Sequence, residues 1–220
     1  NLIYDNGGYI INDDKTKSGM DDPKTVEAME MLEGWIKDGV LPPIETMSEN
    51  GEDVLLESGK VAMVPQGSWM IAAFRDNEYT AENCDCVELP KSATTGRRAS
   101  LYNGLGWAAS ANTEHPEEAW QLIEYLGSKE AQEKQAELGV TMSAYTGTSE
   151  AWAKSANFNL QAYINMMDDM EIRPYSRSTV TWENKNSEIL KSVYSGDKTM
   201  ADACKEMAEQ MNESLAEEQQ

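Results

Sequence analysis

Histidine is almost missing from this chain. Of 220 residues only one is His, so a nucleophile–histidine triad or a His-rich metal site would have to be built on His115. That residue stands in Glu114-His115-Pro116-Glu117-Glu118, beside a helix start, where a solvated side chain is the expected reading. Cysteine is scarce too: Cys84, Cys86 and Cys204. Cys84 and Cys86 are too close in sequence to pair easily with each other. An odd count sets no disulfide framework, and a bond from one of the two to a distant partner stays open. A Cys-x-Cys with no other soft ligand nearby is a weak zinc signal, and Cys204 falls on an apolar helical stripe, which places it in a core. No apolar run approaches the ~20 residues that span a bilayer. Positive charge is short as well: 18 Lys and Arg face 39 Asp and Glu, a net charge of −21. A polyanion would be repelled, so nucleic acid and anionic membrane are excluded as partners.

What is present speaks for a folded protein. Six Trp and nine Tyr argue against disorder. The length suits one large or two small domains of roughly 100–200 residues each, enough to bury on the order of 70% of the unfolded surface. The chain opens at Asn1, with neither Met nor a signal peptide, and reads as part of a longer chain; the lack of a targeting sequence therefore says little.

The pattern along the chain mixes helices and strands, which makes the class α/β. Asp22-Pro23 caps and opens a helix with Val26, Met29, Leu32 and Ile36 on one face, closed by Gly39. Lys60–Val64 reads as a buried strand, Pro65–Trp69 as a loop, Met70–Phe74 as a short helix and Cys86–Pro90 as another strand. Ala99–Ser110 carries a strand or two, with a bend at Tyr102-Asn103-Gly104. Pro116 starts a helix with Ala119, Leu122, Ile123 and Leu126 on its apolar face; Ser128 caps the next, which ends at Gly139. Ala151–Met170 holds one or two helices, and Ile172–Tyr175 is extended around Pro174. Trp182 opens a helix that ends at Gly196. Thr199 and Asp202 form a capping-box pattern before the stripe Ala203, Met207, Met211 and Leu215, and 217–220 should fray.

Reaction chemistry is hard to find. Gly104-Leu105-Gly106 lacks the third glycine of a dinucleotide fingerprint, Gly67-Ser68-Trp69 lacks the flanks of a nucleophile elbow, and the Asp13, Asp14, Asp21 and Asp22 group lacks calcium-loop spacing. In so acidic a chain no catalytic pair of carboxylates stands out. Aromatic residues in loops do stand out: Trp69, Tyr102, Tyr145, Tyr175 and, at a helix start, Trp182. A flat apolar ring beside Asn, Arg and backbone donors suits a sugar, which has an apolar C–H face and a hydroxyl rim. Trp35, Trp120 and Trp152 lie inside helical patterns and read as packing.

The order of the segments carries a resemblance. It runs Gly7-Gly8, Asp22-Pro23-Lys24-Thr25-Val26-Glu27-Ala28, Glu57-Ser58-Gly59-Lys60-Val61-Ala62-Met63, Gly67-Ser68-Trp69, Leu89-Pro90, Gly106-Trp107-Ala108-Ala109-Ser110, His115–Trp120 and Ser195–Thr199. It resembles the C-terminal part of the extracellular solute-binding proteins of family 1, the maltose-binding type that serves ABC sugar importers. The resemblance implies a periplasmic-binding-protein-like (type II) fold of two lobes that close on a ligand. It assigns 1–110 to the C-terminal lobe, 111–155 to helices of an N-terminal lobe that is mostly missing, and 156–220 to the C-terminal lobe again. It implies a non-enzymatic receptor that binds a sugar or oligosaccharide without cofactor or metal and hands it to a membrane permease, outside the cell or in the periplasm, with lipid anchoring. The family's stacking tryptophan falls on Trp69 and its later aromatic on Trp182; Tyr102, Asn103 and Gly104 fall where the family's inter-lobe strand begins, Tyr145 in a loop facing the cleft, and Arg173 and Tyr175 are candidates to line it. Trp107 departs from the usual small or aliphatic residue. The helix faces after Pro116 and Ser128, left without the missing lobe, are expected to repack or to drive self-association. Other readings are the same receptor with a polyol, phosphodiester or amine cargo, which for an anion would want Arg97, Arg98 or Arg173 inside; an extracytoplasmic glycosidase; and an acidic surface interaction module.

Overall fold

The computed structural model describes residues 1–219 and divides into two compact units. The first is assembled from Asn1–Glu49, Leu89–Tyr102 and Asp169–Gln220, the second from Asn50–Glu88 and Asn103–Asp168. The chain is helix-rich, with a single small sheet among the described residues. The division differs from the expected boundaries after 110 and 155. Residues 50–88 join the later helices because Leu56, Ile71 and Phe74 share one apolar cluster with Ala136, Trp152, Phe158 and Leu160.

In the first unit, helix Pro23–Lys37 starts where the sequence says it should: the Asp22 carboxylate accepts from the Lys24 N–H at 2.9 Å, with Pro23 in the first turn. Helix Met200–Glu218 is capped by Thr199, whose hydroxyl oxygen accepts from the Asp202 N–H at 3.1 Å and donates to its carboxylate at 2.7 Å. Ala203, Met207, Met211 and Leu215 then lie 0% exposed. Met207 and Met211, with Ala203 and Cys204, pack with Met29, Trp182, Ile189 and Val193. Each large apolar side chain sunk this way contributes roughly 1.5–3 kcal/mol. Segments far apart in the sequence meet here, since the Ser18 N–H donates to Asn212 Oδ1 at 2.7 Å. The last turn is not frayed through 218: the Glu218 carboxylate accepts from Ser176 Oγ at 2.8 Å and from the N–H groups of Arg177 and Ser178 at 2.9 and 2.7 Å, as well as from the Ser178 hydroxyl. Gln220 lies outside the described residues.

Strands Ser100–Tyr102 and Met170–Ile172 pair in parallel, in the register Ser100 with Met170 through Tyr102 with Ile172. Beside them Arg98 grips Asp169 Oδ2 through Nε at 2.8 Å and Nη2 at 2.6 Å, and Arg97 reaches Glu171 at 3.0 Å.

In the second unit Trp152 is fully buried and meets Tyr163 edge-on, ring centroids 5.6 Å apart. Helix Lys129–Leu138 is capped by Ser128 and stops at Gly139, whose φ of +68° is the left-handed region glycine favours. The expected strands at Lys60–Val64 and Cys86–Pro90 are irregular. A strand needs a partner for its N–H and C=O groups, and no ladder among the described residues pairs with these segments. Helix Pro116–Leu126 forms as expected, with His115 exposed just before it. None of its side chains is buried, however, and Trp120, read from the sequence as packing, is 62% exposed.

Candidate functional site

Trp69 sits on a loop held from several sides. The Gln66 amide donates to Glu52 Oε1 at 3.1 Å, and its oxygen accepts from the Gly67 N–H at 3.0 Å. The Gln66 carbonyl accepts from the Tyr163 hydroxyl at 3.1 Å, and Ser68 Oγ lies 2.8 Å from Thr141 Oγ1. Ser68–Met70 turns as a 3₁₀ segment into helix Ile71–Asp76, whose Ile71 and Phe74 point into the core. The periodicity that sinks those two side chains turns Trp69 outward, and it is 55% exposed.

The Ser68–Thr141 bond ties this loop to the loop that carries Tyr145. There the Tyr145 N–H donates to Ser143 Oγ at 3.1 Å, and Ser143 donates to Gln132 Oε1 at 2.7 Å. The Thr148 hydroxyl donates to the Tyr145 carbonyl at 2.7 Å, which closes the turn. Asn103 and Gly104 follow in an exposed, irregular segment, as does Trp107. The second unit thus brings Trp69 and Tyr145 onto linked loops and leaves Asn103 and Gly104 on open backbone.

In the first unit Tyr102 ends its strand half exposed, and its carbonyl accepts from the Arg173 N–H at 3.0 Å. The Arg173 guanidinium donates to Glu183 Oε1 at 2.5 Å. Tyr175 is exposed, with the Lys15 ammonium 3.3 Å from its ring centroid, a cation–π contact. Lys15 itself holds a left-handed φ of +56°, stabilised by the turn in which Asn12 Oδ1 accepts from the Thr16 and Lys17 N–H groups. Sequence reasoning missed Lys15; an Asn-x-x-Lys turn gave no sign of the tyrosine it would meet.

Trp182 is buried, not open as expected. It lies in the first turn of helix Thr179–Tyr194 rather than opening it, and is 3% exposed, with its indole N–H donating to Ser176 Oγ at 3.1 Å. Trp182, Ile189 and Val193 recur at i, i+7 and i+11, one buried stripe, so the ring offers no open face for stacking.

All three cysteines are free thiols. Burial, with Asp85 and Cys84 adding to it, pushes the Cys86 thiol up to about 11; burial and Glu30 do the same for Cys204. Neither is primed as a nucleophile. Among the described residues no group of His, Cys, Asp or Glu could hold a metal ion, and no helix is long and apolar enough to cross a membrane.

The second unit thus holds an exposed tryptophan on a tethered loop, and each unit has a tyrosine open to solvent. Residues 2–168 match the family model of bacterial extracellular solute-binding proteins. The chain belongs to that family. Among its relatives is the maltodextrin-binding protein MdxE of Bacillus subtilis, 26% identical over 133 residues, which cover 58% of this chain and 31% of that protein. An ABC substrate-binding protein of Listeria monocytogenes, solved in complex with cycloalternan, superposes with a TM-score of 0.82 at 19% identity, over 98% of this chain and 55% of that one. A solute-binding protein of Thermotoga lettingae, bound to α-D-tagatose, does so with a TM-score of 0.80 at 23% identity, over 97% and 55%. These superpositions establish the fold: the chain shares the two-lobed α/β architecture of those structures in part, spanning about half their length.

Proposed function

We propose that the full-length protein is the receptor of an ABC importer, working outside the cytoplasm under a lipid anchor, and that it captures a neutral sugar or oligosaccharide for a membrane permease. Its work is capture and release, with no covalent chemistry. The observation that carries the reading is Trp69: a large apolar ring held open to solvent by a loop tethered at Gln66 and Ser68. Leaving such a ring in water forfeits its burial free energy, which binding an apolar sugar face recovers. Tyr145, on the loop bonded to that of Trp69, adds a further face. In the same unit Asn103 and the Gly104 backbone supply hydrogen bonds to hydroxyls; in the first unit Tyr102, Tyr175 and the Arg173 donors not engaged by Glu183 offer groups of the same kinds.

Charge favours a neutral cargo over the phosphodiester alternative. Arg97, Arg98 and Arg173 are each engaged with a carboxylate, Glu171, Asp169 and Glu183 in turn. The chain as a whole carries −21, so an anion would meet a repulsive field. The relatives named for maltodextrin, cycloalternan and tagatose are consistent with a sugar.

The test is calorimetric titration of the full-length protein with glucose, maltose, maltotriose and tagatose, with Trp69→Ala alongside. Binding to one class, weakened by about 1 kcal/mol in the variant as expected for a lost aromatic contact, supports the reading. No heat with any sugar, in protein shown to be folded, refutes it.

A further inference from the structure

The loop that presents Trp69 contains a glycine whose backbone does not require one. Gly67 has φ −86° and ψ 164°, ordinary extended geometry open to any residue. Its lack of a side chain serves a different purpose. A Cβ placed on Gly67 would come 2.1 Å from Cζ3, 2.2 Å from Cη2 and 2.5 Å from Cε3 of Trp69. Carbon contacts settle near 3.5–4.0 Å, so the six-membered ring of the indole fills the space in which a side chain at 67 would begin.

The backbone has little freedom to yield. The Gly67 N–H is held by Gln66 Oε1, the Gln66 carbonyl by the Tyr163 hydroxyl, and Ser68 by Thr141. A methyl group at 67 therefore displaces the ring rather than the loop. Trp69 is exposed, so it has space to rotate, and the rest of the unit need not adjust.

We infer that Gly67 is a positioning residue for the binding site. It sets the orientation in which Trp69 meets the apolar face of a neutral sugar, and any side chain there would turn the stacking surface away. The inference rests on the receptor reading for its ligand, while ring placement is measurable without one.

The experiment uses full-length protein labelled with 5-fluorotryptophan, as wild type, Gly67→Ala, Trp69→Phe and the Trp69→Ala variant with and without Gly67→Ala. The Trp69 fluorine resonance is the one that vanishes in Trp69→Phe. In Gly67→Ala that resonance should move, the other five should stay, and the melting temperature should hold, since alanine accepts this backbone geometry. Affinity for the sugar bound by wild type should fall about three- to tenfold, the range of one aromatic contact. The double variant should bind no more weakly than Trp69→Ala alone, because glycine acts only through the ring. An unmoved Trp69 resonance in Gly67→Ala overturns the inference, as does an additive loss in the double variant. If wild type binds none of glucose, maltose, maltotriose or tagatose, the receptor reading fails, and the fluorine shift alone decides whether Gly67 places the ring.

Discussion

Glu218 offers the sharpest test of how the C-terminal helix is fastened. Its carboxylate accepts from the Arg177 and Ser178 N–H groups and from the Ser176 and Ser178 hydroxyls, just before helix Thr179–Tyr194. It binds the backbone donors of the turn that leads into that helix, and negative charge there also suits the helix dipole. Desolvation raises its pKa, but the hydrogen bonds from Ser178, Ser176 and the two N–H groups outweigh it and bring the value down to about 2, from an ordinary 4.5. A folded value below the unfolded one means that the contribution is complete above about pH 4.5 and fades as pH falls toward 2. Glu218→Gln keeps the size, removes the charge and turns an amide N–H toward other donors. Two charge-assisted bonds to backbone would each contribute more than a neutral one, but the site is open to water and screened. The expected loss at pH 7 is about 1–2 kcal/mol. The assay is urea unfolding followed by tryptophan emission, with Trp182 as reporter: its indole bonds Ser176, one of the donors in the clasp. The gap between wild type and Glu218→Gln should shrink steadily from pH 5 to pH 2. A gap below about 0.3 kcal/mol at pH 7, or one that stays constant across that range, would show the clasp to be incidental.

Met211→Ala opens a cavity in the first unit's core, where Met211 is wholly buried, and should cost about 2–5 kcal/mol in the same unfolding experiment; a loss under 1 kcal/mol would mean the stripe is not tightly packed. Cys204, fully buried with its thiol pushed up to about 11, should resist a thiol reagent at pH 8 for as long as the protein is folded and react at once in urea. Fast labelling of Cys204 in folded protein contradicts the packing. The 220-residue chain should self-associate reversibly through Trp120, Leu122 and Tyr125, all exposed on helix Pro116–Leu126. Light scattering should show mass rising with concentration and Trp120→Glu with Leu122→Glu reversing it; a strict monomer at millimolar concentration counters the prediction.

Local features were legible and distant ones were not. Asp22-Pro23, Ser128 and Thr199 with Asp202 mark helix starts because a cap reads only the next three residues, and Gly39, Gly139 and Gly196 mark ends for the same reason. The stripe Ala203, Met207, Met211 and Leu215 was readable by spacing alone. The supposed strands at Lys60–Val64 and Cys86–Pro90 were misjudged because β structure depends on a partner that sequence does not name. For Trp69 and Trp182 the residue type was uninformative and the helix phase decided. The recurrence of Trp182 with Ile189 and Val193 was available in the sequence and pointed inward. The Glu218 clasp joins residues 40 apart, and nothing local at either end announces it.

The bond from Ser18 to Asn212 spans 194 positions, and it bears on how the chain folds as it is made. A protein emerges from synthesis N-terminus first, and segments generally fold as soon as their partners exist. The unit built from 50–88 and 103–168 has all its pieces by residue 168. Residues 1–49 do not: Met20 and Met29 wait for Met207 and Met211, far downstream. Contacts so distant in sequence form slowly. Residues 1–49 are therefore made before residues 50–168 but find their core after them, and until then their methionines are open to whatever protects or captures exposed apolar surface.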